Sequence, residues 1–167
     1  MGRNTAVSLV SYSPVPGDDA DHLTKTLAKM TQHFSDAAAQ NADLVVFPEI
    51  CAYLNAPDTW TYEMLDGPTL TAMAAAAQAH SVYVVVQQAI IEDGKRRNSS
   101  IVLDRSGAVV GIYHKNAPTR SELDMGIIPG TETPVFETNF GRLGLAICFD
   151  INYWEVGHAL CTHRPDL

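Results

Sequence analysis

The stretch "NADLVVFPE", residues 41–49, carries the pattern from which the fold can be predicted: a helix end followed directly by a buried strand. Residues 41–43 end a helix predicted over residues 18–40, in which apolar side chains recur at helical spacing. The apolar run of residues 44–49 is typical of a buried strand, and it closes on a proline and the carboxylate of Glu49. The chain therefore delivers a polar side chain at the end of a core strand.

The remaining elements follow from the same periodicities. Asp93-Gly94 predicts a hairpin turn, and residues 116–134 are predicted to be a long irregular stretch. The order of elements predicts a mixed α/β protein with helices on one face of a sheet. Strands are predicted at 6–12, 82–91, 98–104, 108–115, 135–138 and 142–148, and helices at 69–80 and 152–160.

Composition narrows the class of protein. A chain of 167 residues suits a single domain, and 46% hydrophobic with 18% charged residues supports a packed core. The formal net charge of −8 argues against nucleic acid or an anionic membrane as the main partner.

Three cysteines, Cys51, Cys148 and Cys161, leave at least one thiol unpaired within the chain, which favours a reducing compartment. The N-terminus shows no secretory signal, and no apolar stretch is long enough to span a bilayer. We therefore expect a soluble cytoplasmic protein. A redox thiol protein is disfavoured, because no C-x-x-C pair is present.

Three polar residues end apolar strands: Glu49, Lys115 and Cys148. Taken singly, each has an ordinary explanation, a solvated charge for Glu49 and Lys115 and a small buried side chain for Cys148. Together they supply a base, a cation and a nucleophile, which suits acyl transfer. The predicted helix after Cys148 would place its positive end near the thiol, and the backbone N–H of Phe149 would be free to bind an oxyanion.

The blocks "LVVFPE", "YHKNAP" and "GLAICFD" resemble the three signature blocks of the carbon–nitrogen hydrolase (nitrilase) superfamily, in the family's order. The resemblance implies a four-layer αββα sandwich, with residues 1–167 forming the N-terminal part of one such domain. It implies that Glu49 is the general base, that Lys115 stabilises the tetrahedral intermediate and that Cys148 forms a thioester. It also implies a small-molecule substrate, no metal or organic cofactor, and a homo-oligomer.

Two finer points follow from the resemblance. Many members carry a second glutamate between the lysine and the cysteine, and here Glu122 and Asp124 compete for that position. True nitrilases resemble Cys-Trp-Glu at the nucleophile, whereas Cys148-Phe149-Asp150 is similar to the amidase and carbamoylase branches. We therefore expect an amide or ureido substrate.

Other candidates are weaker. His158, Cys161 and His163 form H-x-x-C-x-H, but this is not a standard zinc spacing and no second ligand pair follows. Aromatic residues between positions 50 and 66 are as compatible with packing as with a substrate pocket: Tyr53, Trp60 and Tyr62.

The chain stops at "CTHRPDL", where a further apolar strand is expected, so we expect a C-terminally truncated member of the family. Two hypotheses remain open. The first is a cysteine-dependent amidohydrolase. The second is an inactive nitrilase-like module that acts in binding or assembly, or is a degenerate product.

Overall fold

A computed structural model describes residues 4–16, 20–53 and 60–167 of the chain. Its elements in chain order are β1 (Val7–Leu9), α1 (Ala20–Ala39), β2 (Leu44–Val46), α2 (Pro68–His80), β3 (Tyr83–Glu92), β4 (Lys95–Leu103), β5 (Val109–His114), α3 (Arg120–Asp124), β6 (Val135–Thr138), β7 (Gly141–Gly144), a 3-10 helix (Cys148–Asn152) and α4 (Trp154–His163).

Strands β1 to β5 form one sheet in sequence order. The pairs β1–β2 and β2–β3 are parallel, and β3, β4 and β5 are antiparallel. The β3–β4 hairpin turns at Asp93 and Gly94, which both have positive φ, as the short turn that joins two such strands requires. Because β2 and β5 both end at the same side of this sheet, the residues that follow them can meet.

The two faces of the five-stranded sheet bury different neighbours. One face packs against α1 and α2 in an apolar cluster that includes Met30, Phe34 and Ile101. The other face packs against the two-stranded sheet β6–β7 in an apolar cluster that contains Leu143. Helix α4 lies against this second sheet, where Leu160 contacts Gly144. The order helix, sheet, sheet, helix confirms the predicted αββα sandwich.

Three predicted strands prove clearly shorter than expected, and the first of them, β1, covers only Val7–Leu9 of the predicted range 6–12. Strand β7 ends at Gly144 instead of reaching Cys148, because its partner β6 begins at Val135, directly after a proline that offers no N–H to the ladder. Strand β2 ends at Val46, two residues before Pro48, although the backbone N–H of Phe47 still donates to Val85.

Helix boundaries differ as well. The predicted helix over 152–160 is preceded by the 3-10 helix, and α4 itself begins at Trp154. The stretch 116–134, predicted to be irregular, contains α3. The predicted start of the first helix at residue 18 lies outside the described residues.

Across the described parts of the chain, none of the helices has the length and apolar character needed to cross a membrane.

Candidate active site

Lys115 follows β5 directly and is the cation of the site. Its side chain is 2% exposed, and Nζ lies between two carboxylates. It donates to Oε1 of Glu49 at 2.9 Å and to both oxygens of Glu122, at 3.1 and 2.9 Å. Burial lowers the pKa of Lys115, but the two carboxylates outweigh that effect and hold it above its ordinary value. The ammonium form is thus secured.

Glu122 is placed by the start of α3. Thr119 caps this helix, and its side chain and that of Glu122 exchange hydrogen bonds with each other's backbone N–H groups. Although burial raises its pKa, hydrogen bonds from Lys115, Asn98 and the Thr119 backbone lower it below the ordinary value. At 3% exposure, Glu122 is a buried carboxylate held in its charged form.

Asp124 competes with Glu122 in the sequence but not in space. It lies at the exposed end of α3, where it accepts a hydrogen bond from Nε of Arg120 at 3.0 Å, one helical turn away. The capping interaction therefore directs Glu122, and not Asp124, toward Lys115.

Asn98 in β4 joins the two carboxylates. Its Nδ2 donates to Oε1 of Glu49 at 2.8 Å and to Oε1 of Glu122 at 2.7 Å. Its backbone carbonyl accepts from the N–H of Lys115 at 2.9 Å, so one buried residue supports the whole charged group. The sequence analysis missed Asn98 because it lies among five other polar residues between Lys95 and Ser100, and no local pattern distinguishes it from them.

Glu49 is the more accessible of the two acids. It lies beyond the end of β2, and its side chain is 28% exposed. The backbone after it turns at Ile50, which has φ 51°, and returns to β3 through a hydrogen bond from Cys51 to Gln87. Glu49 thus reaches from the Lys115 side of the site toward solvent.

Cys148 stands at a sharp turn and is exposed. Its φ of 44° is unusual for a residue with a side chain. Desolvation raises the pKa of its thiol, and the nearby Glu49 carboxylate raises it further through its negative charge and as a hydrogen-bond acceptor. Lys115 acts in the opposite direction.

This electrostatic balance corrects one expectation. The sequence predicted that a helix N-terminus next to Cys148 would favour the thiolate, but α4 begins only at Trp154. The charge of Lys115 is already shared by two carboxylates. The resting site therefore holds a thiol beside a carboxylate, an arrangement in which a proton can pass from sulfur to Glu49.

The turn that carries Cys148 is tied to the rest of the site by Asp150. This fully buried carboxylate accepts hydrogen bonds from the Tyr113 hydroxyl and the Ile147 N–H on Oδ2, at 2.7 and 2.8 Å. Its Oδ1 accepts from the N–H of Ala117 at 2.7 Å. In the sequence Asp150 served only to indicate a substrate class, and its contacts with Tyr113 gave no signal because 37 positions separate them.

Phe149 lies in the first turn of the 3-10 helix, where N–H groups have no acceptor within the helix. Its ring packs edge-on against Tyr153, with the centroids 5.5 Å apart. The use of its backbone N–H as an oxyanion donor stays a prediction.

The remaining sequence candidates have other partners, although burial raises the pKa of Tyr62 and the charge of Glu122 adds to this effect. Tyr53 donates to the buried carboxylate of Glu63, and Tyr62 stacks under Arg96. Within residues 4–16, 20–53 and 60–167, no three side chains of the metal-binding types converge, so His158, Cys161 and His163 form no such group.

Comparison with known proteins identifies the family of this chain. The model of the carbon-nitrogen hydrolase family matches residues 7–164, and the chain belongs to that family. An (R)-stereoselective amidase from Pseudomonas sp. is 31% identical over 92% of this chain and 55% of its own length. A glutamine-dependent NAD(+) synthetase from Acinetobacter baylyi is 30% identical, over 92% of this chain and 28% of its own. The chain thus spans about half the length of the amidase and less of the synthetase.

Solved structures share the fold at low sequence identity. A crystal structure of an amidase from Nesterenkonia sp. superposes with a TM-score of 0.83 at 20% identity, covering 98% of this chain and 62% of that one. A carbon-nitrogen hydrolase from Helicobacter pylori gives a TM-score of 0.80 at 20% identity, covering 96% and 56%.

Proposed function

We propose that this protein hydrolyses non-peptide carbon–nitrogen bonds, in amide or N-carbamoyl substrates, through a thioester on Cys148. The observation that carries the proposal is the placement of Lys115 between Glu49 and Glu122, with the Cys148 thiol beside Glu49. Base, cation and nucleophile come from three separate segments, which follow β2, β5 and β7, and packing alone does not require this arrangement.

The first half of the reaction transfers the acyl group to sulfur. Glu49 takes the thiol proton while Cys148 attacks the carbonyl carbon, and the carbonyl oxygen becomes an oxyanion. Lys115 and the backbone N–H of Phe149 are the donors for that oxyanion. The carbon–nitrogen bond then breaks, the leaving nitrogen receives the proton held by Glu49, and a thioester remains.

The second half of the reaction repeats these steps with water. Glu49 removes a proton from water as the oxygen attacks the thioester carbon, and the same donors hold the second oxyanion. The carbon–sulfur bond breaks, sulfur recovers the proton from Glu49, and the acid product leaves. Glu49, Cys148, the substrate and one water molecule together account for every proton in the cycle.

Glu122 supports this cycle without exchanging protons. Its pKa is lowered by Lys115, Asn98 and the Thr119 N–H, so it stays charged and fixes the ammonium. The more exposed Glu49 is left to move the proton. Two carboxylates around one lysine thus take different roles because their surroundings differ.

The preference for amides over nitriles rests on Cys148-Phe149-Asp150. The names of the relatives do not decide between them, since an amidase and the bifunctional nitrilase/nitrile hydratase NIT4A of Nicotiana tabacum match at 31% and 28% identity. Aliphatic amides, N-carbamoyl amino acids and nitriles should therefore be compared side by side.

The decisive assay is ammonia release by the purified protein, with Cys148→Ala as the catalytic variant and Cys161→Ala as the matched control at another exposed cysteine. We expect release by the native protein and by Cys161→Ala, and none by Cys148→Ala. Release by the native protein that is no greater than that by Cys148→Ala would reject the cysteine-dependent hydrolase, and no release by either protein would favour the non-catalytic module.

We also propose a cytoplasmic homo-oligomer. Cys51, Cys148 and Cys161 are all free, which suits a reducing compartment. Ile151 and Trp154 are large apolar side chains that stand exposed beside the nucleophile turn, as at protein–protein interfaces. A single monomeric species in light scattering would contradict the oligomer.

A further inference from the structure

Asp150 has an unusual set of partners for a buried carboxylate. It is fully buried, and none of the hydrogen bonds given above for its two oxygens comes from a lysine or arginine. They come from one hydroxyl and two backbone N–H groups. Its charge is therefore balanced by dipoles.

Those dipoles belong to two separate parts of the site. Tyr113 and Ala117 lie two positions before and two positions after Lys115, whereas Ile147 directly precedes Cys148. The distances of 2.7, 2.7 and 2.8 Å are those of charge-assisted hydrogen bonds. One carboxylate thus joins the segment that carries the cation to the turn that carries the nucleophile.

The turn needs such support. Cys148 has φ 44°, a conformation that a residue with a side chain keeps only when its surroundings fix it. On one side the N–H of Asp150 donates to the Ile147 carbonyl at 2.9 Å, and on the other its side chain accepts the Ile147 N–H. Asp150 therefore holds both polar groups of the residue before the nucleophile.

We propose that Asp150 is a positioning residue that sets the separation of Cys148 from the Lys115–Glu49 pair. The proposal rests on the proposed function and deepens it, because it names a fourth residue that fixes the position of the nucleophile. A displacement of reacting groups by about 1 Å lowers rates by about 10²-fold.

Asparagine cannot replace this carboxylate. One of the two oxygens would become an NH₂ group, which faces either the Ala117 N–H or the Ile147 N–H, and neither can accept. Asp150→Asn thus keeps the shape of the side chain and breaks one link, either to the Lys115 segment or to the nucleophile turn. Tyr113→Phe removes only the hydroxyl bond and leaves both backbone bonds.

The test follows alkylation of Cys148 by iodoacetamide between about pH 6 and about pH 10, a range around the ordinary thiol pKa. Peptide-resolved mass spectrometry separates Cys148 from Cys161, which is also exposed and reports the reagent in the same sample. Circular dichroism melting confirms folding. Asp124→Asn is the matched control, the same chemical change on an exposed carboxylate nearby.

In the native protein, we expect the midpoint of Cys148 alkylation above about 8.5, because burial and the neighbouring Glu49 carboxylate both raise the pKa of the thiol. In Asp150→Asn it should move back toward about 8.5, and kcat for an amide should fall about 10²-fold with little change in KM. Tyr113→Phe should show a smaller shift in the same direction. Asp124→Asn should match the native protein.

A folded Asp150→Asn variant with the native alkylation profile and native kcat would overturn the proposal. Should that variant fail to fold, Tyr113→Phe decides, since an unchanged profile there overturns the proposal equally. Failure of the native protein to release ammonia would reject the proposed hydrolase activity but not the role of Asp150. The alkylation profile tests the position of Cys148 without any turnover.

Discussion

Replacing Glu122 with glutamine tests the cluster formed by Lys115, Glu49 and Glu122, because the change removes one negative charge and keeps the shape of the side chain. Glu122 accepts from Lys115 with both oxygens, from Asn98 with Oε1 and from the Thr119 N–H with Oε2. In either orientation the new NH₂ group faces two donors. Two hydrogen bonds that involve a charged group are lost, each of about 1.5–3 kcal/mol.

Lys115 keeps its second carboxylate, Glu49, so the lower end of that range applies. We expect Glu122→Gln to lose about 3 kcal/mol in the free energy of unfolding at pH 7, close to the value for breaking a buried ion pair. The control Asp124→Asn breaks an exposed pair with Arg120 and should lose less than about 1 kcal/mol. Urea titration followed by tryptophan fluorescence measures both.

The difference should depend on pH in one direction. The pKa of Glu122 is lowered in the folded protein, so its stabilisation is present above the ordinary glutamate pKa of about 4.3 and is lost as the pH falls through the folded value. The gap between native protein and Glu122→Gln should therefore narrow below about pH 4.3. A loss under about 1 kcal/mol at pH 7, or a gap that stays constant with pH, would refute the reasoning.

Three further substitutions test the same site from other sides. Lys115→Met removes one of the two proposed oxyanion donors and should lower kcat for an amide by about 10²–10³-fold, and a loss under ten-fold would contradict its role. Asn98→Leu removes a donor from both carboxylates and should lower the free energy of unfolding by about 2 kcal/mol or more, measured by urea titration. Gly130→Ala places a Cβ 2.2 Å from the carbonyl oxygen of His114, the residue before Lys115, and should lower the free energy of unfolding by about 1–3 kcal/mol. Its control, Gly157→Ala, lies in open space on α4 and should raise the free energy of unfolding by about 0.5–1 kcal/mol. Equal melting temperatures for the two glycine variants would count against the close packing at Gly130.

Much of this architecture could be predicted from the sequence, because local patterns determine it. The helical periodicity before Asn41 and the Asp93-Gly94 turn each report on neighbouring residues, and the structure bears both out. Glu49, Lys115 and Cys148 each stood at the end of an apolar run, and the described structure brings them together. The sequence alone thus indicated which three side chains could react, without showing their contacts.

The connections between those positions could not be predicted in the same way. Asn98 contacts Glu49 across 49 positions, and Asp150 contacts Tyr113 across 37. The choice of Glu122 over Asp124 depended on a capping interaction within a stretch that had no helical periodicity. The raised pKa of Cys148 likewise depends on burial and on the charges of Glu49, Lys115 and Glu122, which lie far from it in the chain, so no local pattern contains it.

The central claim is that Cys148 carries the acyl group. Acid quenching of the protein during turnover of a slow amide, followed by peptide mass spectrometry, detects that group directly. The account predicts an acyl adduct on the peptide that contains Cys148, no adduct on those with Cys51 or Cys161, and none in Cys148→Ala. An adduct on another residue, or ammonia release that persists in Cys148→Ala, would contradict it.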